Sequence, residues 1–572
     1  MRTGFTQTGR VVTVSTPLGA NDLLVDALDG HEGLSEPFHF TLTMRSGNPG
    51  LDPSSLVGQD MGITLQVGQG PKRALHGVCT RFVHSGFDRD FATYQAQVEP
   101  RLSLLRLSRD RRIFQAKSVD AIVKSVLQAR SIAFSAKLTQ TYAAIDYCVQ
   151  YDESDLDFIS RLMEQAGIFY YFTFAAGSHT LVLADANSNF ADCAGASTLR
   201  FFPPASDSQP LDAVTRFERE QRLALKQATA DDYDFQQPST RLAGSHAASA
   251  GEGTVYEFAT GHTSVSAGAT RARLQVEASQ AQSQSLRGDS HAVSLAAGTR
   301  FTLTDHFVSA LNTAHVLARV RHQVREDGYR NSFEAFPASV PFRPALCTPL
   351  PRAWGCETAR VVGPSGEEIW TDKFGRIKVQ FPWDRQGQGD DQSSTWIRVA
   401  QSVAGNGFGA LMLPRVGQEV VVSYLHGDPQ RPLVTGCVYN AENALPVDLP
   451  GAQTQTVLRT RSSKQGQAGN ELRLDDKKDA EVFYLHAQKD MTVEIENALS
   501  TTLKKGGETH VLEEGDRSLA LKKGNETHSV KGTRTLDVGG DESHTSQGVF
   551  KHTVNGDYEL KVDGKLLSLI HI

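Results

Sequence analysis

Near the end of the chain glycine recurs at Gly507, Gly515, Gly524, Gly532, Gly540, Gly548, Gly556 and Gly564, in steps of eight residues with a single step of nine. Val530, Val538, Val554 and Val562 each stand two residues before one of these glycines, and Val511, Leu519, Leu536 and Leu560 stand four after others. The phrase LKKGGETH at Leu503–His510 returns as LKKGNETH at Leu521–His528. A period this short cannot hold a helix pair; it suits short strands broken by a turn where only glycine tolerates positive φ. Each octad reads as a β-solenoid rung. One rung alone can neither bury its apolar residues nor pair both strand edges, so the rungs must stack and intertwine with identical chains. A homotrimer is the natural closure, a stiff prism with valine and leucine inward and Lys, Glu and Asp toward water. The rival reading is a disordered Gly/Lys/Glu tail, which would not require valine at a fixed offset from glycine. From Thr501 to Leu566 ten Lys and Arg oppose eleven Asp and Glu, so the shaft is nearly neutral and is no polybasic arm for DNA or anionic lipid.

The rest of the chain has to hold several domains, since it is 572 residues long with a formal charge of −7 and 39% hydrophobic residues, the balance of a soluble globular protein. Membrane anchoring is not expected. The opening MRTGFTQTGRVVTVSTPLGANDLL has no apolar core of seven or more residues behind a basic start, so no Sec-type signal peptide is read and synthesis begins in the cytoplasm. Cys79, Cys148, Cys193, Cys347, Cys356 and Cys437 are scattered without CxxC spacing and are expected to be buried free thiols.

Between Glu357 and Asn440, TARVVG, EEIWT, RIKVQFPW, STWIRVAQ, GALMLP, EVVVSYL and PLVTGCVY are short β-rich runs separated by Gly, Pro, Asp and Asn. Five or six strands in this length fit an OB-like barrel. The runs EEIWTDKFGRIKVQFPWDR, SSTWIRVAQ, LPRVGQEVVVSYLHGDPQRPLVTG and VYN closely resemble the signature of VgrG proteins, the trimeric spikes of type VI secretion systems. That family is similar in fold to the hub and spike of contractile phage tails. The resemblance extends to GHEGLSEPFHFTL (Gly30–Leu42), YQAQVEPRLSLLRLSRDRRIFQ (Tyr94–Gln115), VQYDESDLDFISRLMEQAGIFYYF (Val149–Phe172) and NELRLDDKKDAEVFYLHAQKDM (Asn470–Met491), covering essentially the whole chain in the family's order.

These motifs also have a local physical reading. Ser154 with Asp157 three residues on is a capping arrangement; Leu156, Ile159, Leu162, Met163 and Ala166 follow helical spacing, and Gly167 stops the helix. Ser118 precedes Val119, Ile122, Val123, Val126 and Leu127, a second amphipathic helix. FHFTLTM, MGITLQV and SHTLVLAD alternate as strands do, so residues 1 to about 350 read as mostly β with small helical inserts. The family implies two hub barrels there.

Candidate chemistry is sparse. No HExxH, Walker A loop, GxSxG elbow or CxxC pair occurs. GNGFG at Gly405–Gly409 lacks the setting of a dinucleotide loop and reads as a turn. Glu367 and Glu368 are adjacent, so in a strand they would point to opposite faces and could not share a glycosidic bond; a solvated barrel edge is expected. Asp231, Asp232 and Asp234 lack EF-hand spacing and read as a surface loop. His510, His528, His544 and His552 fall close to one phase of the octad, so a trimer would bring three copies of each near one level. A three-histidine ring could hold a metal or anion, but the expected placement is outward, beside Thr and Ser. The aromatic and basic residues of RIKVQFPWDR suggest single-strand nucleic-acid binding, which the flanking Asp372, Asp384, Asp390, Asp391, Glu419 and Asp428 oppose. Phe381, Trp383 and Trp396 read as packing residues. No catalytic residue, cofactor-binding residue or metal ligand is assigned, no cofactor is expected, and nucleic acid is not expected as a partner.

The resulting expectation is a mainly β chain: hub-like β-barrel domains over 1–350, an OB-fold over 351–445, a connector over 446–500 and an octad-repeat β-helix needle over 501–566. The last residues, Leu567–Ile572, spell LLSLIHI with Leu566 and match the translation of a transposase sequencing adapter, so they are expected to be foreign to the gene, the native end lying elsewhere; the bland reading is one native apolar strand. The stretch from about Asn440 to Arg461 is too short for a catalytic domain and reads as a linker. The resemblance implies a non-enzymatic, homotrimeric puncturing spike, assembled in the cytoplasm and exported by the secretion machine. The hub would dock on the Hcp tube hexamer, a PAAR-repeat protein would sharpen the tip, and effector toxins would ride with adaptor proteins through the target membrane. A phage tail spike, or a spike with a C-terminal toxin domain beyond this sequence, are the alternatives.

Overall fold

In the run FHFTLTM, Phe38, Phe40, Leu42 and Met44 alternate with polar residues along the strand Glu36–Ser46, and all four are buried. The same period-two pattern builds most of the amino-terminal fold. A computed structural model describes residues 5–203, 210 and 212–570, in two units, Met1–Asp490 and Met491–Ile572. Met1–Gly4 of the opening segment and His571–Ile572 of the final run lie outside the described residues.

In the first unit, Val12–Ser15, Asp60–Leu65, Arg73–Asp88, Phe91–Glu99, Glu36–Ser46 and Leu24–Gly33 follow one another across an antiparallel sheet. Arg10, just before Val12–Ser15, donates from Nη1 to the Val25 carbonyl of Leu24–Gly33 at 2.8 Å. Leu24–Gly33 also pairs with Ala314–Arg325, which begins a second circuit: Gly328–Pro337, Gln284–Ser290, Ala213–Gln221, Thr198–Phe201 and Thr299–Thr304. The last of these pairs back onto Ala314–Arg325, closing a six-stranded barrel with no free edge. Its interior is filled by Phe301, Leu303, Leu317, Val320 and Phe333. Of the two hub barrels implied by the resemblance, the second is closed by backbone pairing; the first is a six-stranded antiparallel run of the same continuous sheet, with no ladder between Val12–Ser15 and Leu24–Gly33 among the described residues.

Helical inserts sit where the sequence places them. α1 (Val119–Ala129) buries Ile122, Val123, Val126 and Leu127; α2 (Asp155–Ala166) is capped by Ser154, whose Oγ accepts from the Asp157 N–H at 3.0 Å, and ends at Gly167 with φ 71°. A third helix, α3 (Val265–Ser283), carries no apolar stripe wide enough to announce it. It buries Gly268, Ala272 and Val276 against the strands Leu225–Asp231, Gly244–Ala247 and Glu252–Phe258. A methyl group on Gly244 would lie 2.1 Å from the backbone nitrogen of Ala269, so small residues, not large ones, hold this helix to its sheet.

The OB barrel has five strands in the order Lys378–Gln380, Glu357–Val362, Glu419–Tyr424, Pro432–Val438, Arg398–Val399. Ile377 and Ile397 bridge the outer pair, and Val361, Val379, Phe381, Val420, Val422 and Val434 form its core. Two expected strands are corrected. EEIWT is irregular, because the chain turns at Pro364–Gly366 and Trp370 leaves the ladder to stack on Trp396. GALMLP is a loop whose Met412 N–H is taken by the Gln401 side chain at 2.9 Å instead of by a strand. Gln455–Arg459, Glu471–Asp475 and Val482–His486 then form a separate antiparallel sheet.

Cys79, Cys148 and Cys193 are buried thiols; Cys347, Cys356 and Cys437 are exposed, correcting the expectation that all six are interior. Among the described residues no helix is long and apolar enough to cross a membrane.

Candidate functional site

Two features of the first unit join its parts, and one feature of the second is unfinished. The first joint is Glu357, at the start of an OB-barrel strand. Its Oε1 accepts from Arg111 Nη1 at 2.8 Å and from the Tyr151 hydroxyl at 2.6 Å; its Oε2 accepts from Trp383 Nε1 at 2.8 Å and the Tyr424 hydroxyl at 2.6 Å. Arg111 and Tyr151 belong to the antiparallel pair Arg109–Ser118 and Ala144–Ser154 of the hub, whereas Trp383 and Tyr424 belong to the barrel. Burial opposes the carboxylate's charge, but the hydrogen bonds from Tyr151, Tyr424 and Trp383 and the Arg111 charge outweigh it and hold Glu357 below the usual carboxylate range. The Arg111 guanidinium also lies 4.4 Å from the Tyr151 ring centre. Arg385 to Asp110 at 2.6 Å and Gln115 Nε2 to the Gln392 carbonyl at 2.6 Å extend the seam. Four donors on one carboxylate make a joint that cannot rotate without breaking several charge-assisted bonds together.

The second joint lies between the hub barrels. Glu32, on the strand shared by both circuits, is 2% exposed; it accepts from Arg73 Nη2 and, at 2.9 Å, from His322 Nε2. His322 Nδ1 meets the Tyr329 hydroxyl at 2.8 Å, and Arg73 also donates to the carbonyl of Leu295.

The residues singled out in the sequence are dispersed. Glu367 binds Lys464 at 2.8 Å and Glu368 accepts from the Gln465 N–H, so both hold the 462–466 loop; Glu368 also faces Arg415 at 3.8 Å. Asp231 and Asp232 are buried and not on a surface loop: Asp231 accepts from the Tyr256 hydroxyl at 3.1 Å, and Asp232 is ion-paired with Arg431 of the OB barrel. Asp234 accepts from the Gln236 N–H at 2.9 Å, a local turn. Gly405–Gly409 is a turn, with the Gly405 N–H donating to the Phe408 carbonyl at 2.9 Å. Phe381 is core, Trp383 serves the Glu357 joint, and Trp396 stacks on Trp370 with the Lys378 ammonium 5.2 Å from its ring centre. Trp354, three residues before the first barrel strand, and Leu411, in a loop of the barrel, are 94% and 73% exposed.

The unfinished feature is the octad region. Bends alternate with seven unbent six-residue segments: 507–512, 516–521, 525–530, 533–538, 541–546, 549–554 and 557–562. The turn glycine of the first bend is Gly506, not Gly507. Gly506, Gly515 and Gly524 take φ of 91°, 94° and 109°, whereas Gly532, Gly540, Gly548, Gly556 and Gly564 bend without a positive φ. The first three bends span three residues and the later ones two; the left-handed glycine absorbs the extra residue.

Side chains two apart in an extended segment share a face. Each segment's second, fourth and sixth positions therefore line up. The sixth is Leu512, Leu521, Val530, Val538, Ser546, Val554 or Val562, and the fourth is His510, Leu519, His528, Leu536, His544, His552 or Leu560. The histidines thus share the face of the valines and leucines, which differs from their expected placement beside Thr and Ser, and Val511 falls on the opposite face. His510, His528 and His544 donate from Nε2 to Glu508, Glu526 and Glu542 at 2.7, 2.6 and 2.6 Å. Among the described residues of this unit no segment hydrogen-bonds to another through its backbone, and all the Leu and Val side chains are exposed. The rungs do not stack within one chain.

Residues 31–328 match the family model of the phage tail baseplate hub (GPD), 368–439 that of the type VI secretion system/phage-baseplate injector OB domain, and 456–570 that of the bacteriophage T4 gp5 C-terminal trimerisation domain. The chain is 37% identical over 564 residues to the type VI secretion system spike protein VgrG1a of Pseudomonas aeruginosa, covering 95% of this chain and 87% of that protein. It is 37% identical over 511 residues to VgrG1b of the same organism, covering 86% and 69%. The E. coli c3393 protein, a type VI secretion component similar to T4 tail proteins gp27 and gp5, shares its fold with a TM-score of 0.56 at 24% identity, covering 74% of this chain and all of that one. A lidded Francisella PdpA–VgrG complex shares the fold with a TM-score of 0.58 at 9% identity, covering 84% and 77%.

Proposed function

The chain belongs to the family of type VI secretion system VgrG spike proteins, and from that we propose that three copies wind together through residues 501–566 into a needle that does mechanical rather than catalytic work. The observation that carries this reading is the exposed face of the seven octad segments. An extended strand with an apolar face and two open edges is unstable in water, and the chain supplies no second layer of its own. Three identical chains supply it with one closed symmetry.

On this reading residues 1–350 are the hub, 351–445 the OB-fold, 446–500 the connector and 501–566 the needle. The hub docks on the Hcp tube hexamer, a PAAR-repeat protein closes the tip, and effector toxins travel on the spike directly or through adaptor proteins. The Glu357 and Glu32 joints suit such work, because thrust through a spike loads its inter-domain seams and both seams are charge-locked. Exposed Trp354 and Leu411 are then surface for neighbouring copies of the OB-fold. Assembly takes place in the cytoplasm and export follows contraction of the sheath, which drives the spike through the target membrane.

The test is export. In a strain with a working machine, the native chain appears in the medium only while the sheath contracts, and a Val538→Asp/Val554→Asp chain stays in the cells. Export of that variant at the native level would refute the needle's role.

A further inference from the structure

The face that the needle must cover carries charge in a pattern that apolar burial does not require. At the second position of successive segments stand Glu508, Arg517, Glu526, Arg534 and Glu542, followed by Phe550 and Tyr558. The sign alternates at every step until the aromatic pair ends it. The fourth position follows in step: histidine behind each glutamate, leucine behind each arginine. Each Glu–His pair is made within its own segment, at 2.6 to 2.7 Å, so the histidine turns its glutamate along the strand, and no described residue of the unit is ion-paired to Arg517 or Arg534.

We propose that this ladder is an interface with second and third copies of the chain, and that it sets the axial register in which the copies wind together. The inference rests on the trimeric reading above and adds what selects one trimer among several. The apolar positions alone cannot do so. Leucine and valine repeat in nearly every segment, so a chain displaced by one layer would still meet leucine and valine. In an intertwined trimer the layers on either side of a strand come from the other copies, about 4.8 Å away, and like positions face each other. In register, every glutamate layer is flanked by arginine from its neighbours. Displaced by one layer, a chain sets arginine against arginine and carboxylate against carboxylate on a face removed from water, where like charges are least tolerated. Displaced by two, it keeps opposite signs where the ladders overlap but leaves Glu542, or in the other direction Glu508, with no arginine on either side. A buried polar residue that costs stability but fixes alignment has its counterpart in coiled coils.

The test uses the full chain and sedimentation velocity. Arg517→Glu/Arg534→Glu leaves five carboxylates in succession and is expected to abolish the single trimeric boundary. Adding Glu508→Arg, Glu526→Arg and Glu542→Arg reverses the whole ladder, restores alternation, and is expected to restore that boundary. If the double variant sediments as the native trimer, the register proposal is overturned while the trimer stands. If the double variant fails and full reversal does not rescue it, alternation is not the operative feature and the proposal is overturned as well. A native chain that is not a trimer removes the underlying reading, a result distinguishable from either.

Discussion

The Tyr151 hydroxyl donates to Glu357 Oε1 at 2.6 Å, joining residues 206 apart in sequence and tying a hub strand to the OB barrel. Glu357→Ala strands Tyr151, Trp383 and Tyr424 without their common acceptor, and the expected loss is roughly 2–4 kcal/mol of stability. Tyr424→Phe removes one donor and should lose about 1 kcal/mol. Chemical denaturation of the full chain, followed by tryptophan fluorescence because Trp383 sits in the joint, measures both.

Glu32 and Arg73 give a sharper contrast. Arg73→Met leaves a buried carboxylate whose charge Arg73 had compensated, and the expected cost is about 3–5 kcal/mol. Burial opposes ionisation of Glu32, and the Arg73 charge and the His322 hydrogen bond keep its pKa below the usual value. Adding Glu32→Gln removes the stranded charge, so the double variant should be more stable than Arg73→Met alone. A double-mutant cycle in urea reads the coupling directly.

His179 predicts the acid response. Its Nε2 accepts from the Arg101 N–H at 3.1 Å and its Nδ1 meets His76 Nδ1 at 3.0 Å, so a second proton has no place. Burial, then the neighbouring His76 and Arg101, lowers its pKa to about 4. The unfolded chain takes up this proton near pH 6.5, before the folded chain does. Stability from this group is therefore complete above about pH 6.5 and declines by roughly 3 kcal/mol as the pH falls to about 4. Melting of His179→Asn against native protein across that window should show a flatter profile for the variant.

Gly524 and Gly548 distinguish the two kinds of bend. Gly524 holds φ at 109°, which alanine resists, whereas Gly548 bends without a positive φ and has open space where a methyl group would go. Gly524→Ala should cost about 1–2 kcal/mol per chain and Gly548→Ala much less, as read from thermal melting of the assembled protein.

These contrasts show which interactions the sequence declares. The caps of α2 and the alternation of Phe38, Phe40, Leu42 and Met44 are local rules, and both are legible without coordinates. The octad repeat is legible too, but the phase of its first turn is not, because Gly506 and Gly507 are adjacent and only backbone conformation says which one bends. With Gly506 as the turn, His510 joins His528 and His544 in one column and the charge alternation becomes visible. Glu357 was not legible at all. Its partners Arg111, Tyr151, Trp383 and Tyr424 come from separate strands and a loop, and no spacing marks a carboxylate shared across a domain seam. The burial of Asp232 is hidden from the sequence for the same reason, since Arg431 lies 199 residues away. Helix α3 leaves no hydrophobic stripe in the sequence, because alanine, glycine and serine bury it by close approach.

The most direct test is the mass of the full chain in solution, by sedimentation equilibrium, beside Val538→Asp/Val554→Asp and the opposite-face control Thr535→Asp. The expected result is a native species and a control at three times the 62.3 kDa chain mass, with the valine variant falling to smaller species. A native chain at 62.3 kDa, or a valine variant that keeps the native mass, would contradict a needle built from three intertwined copies.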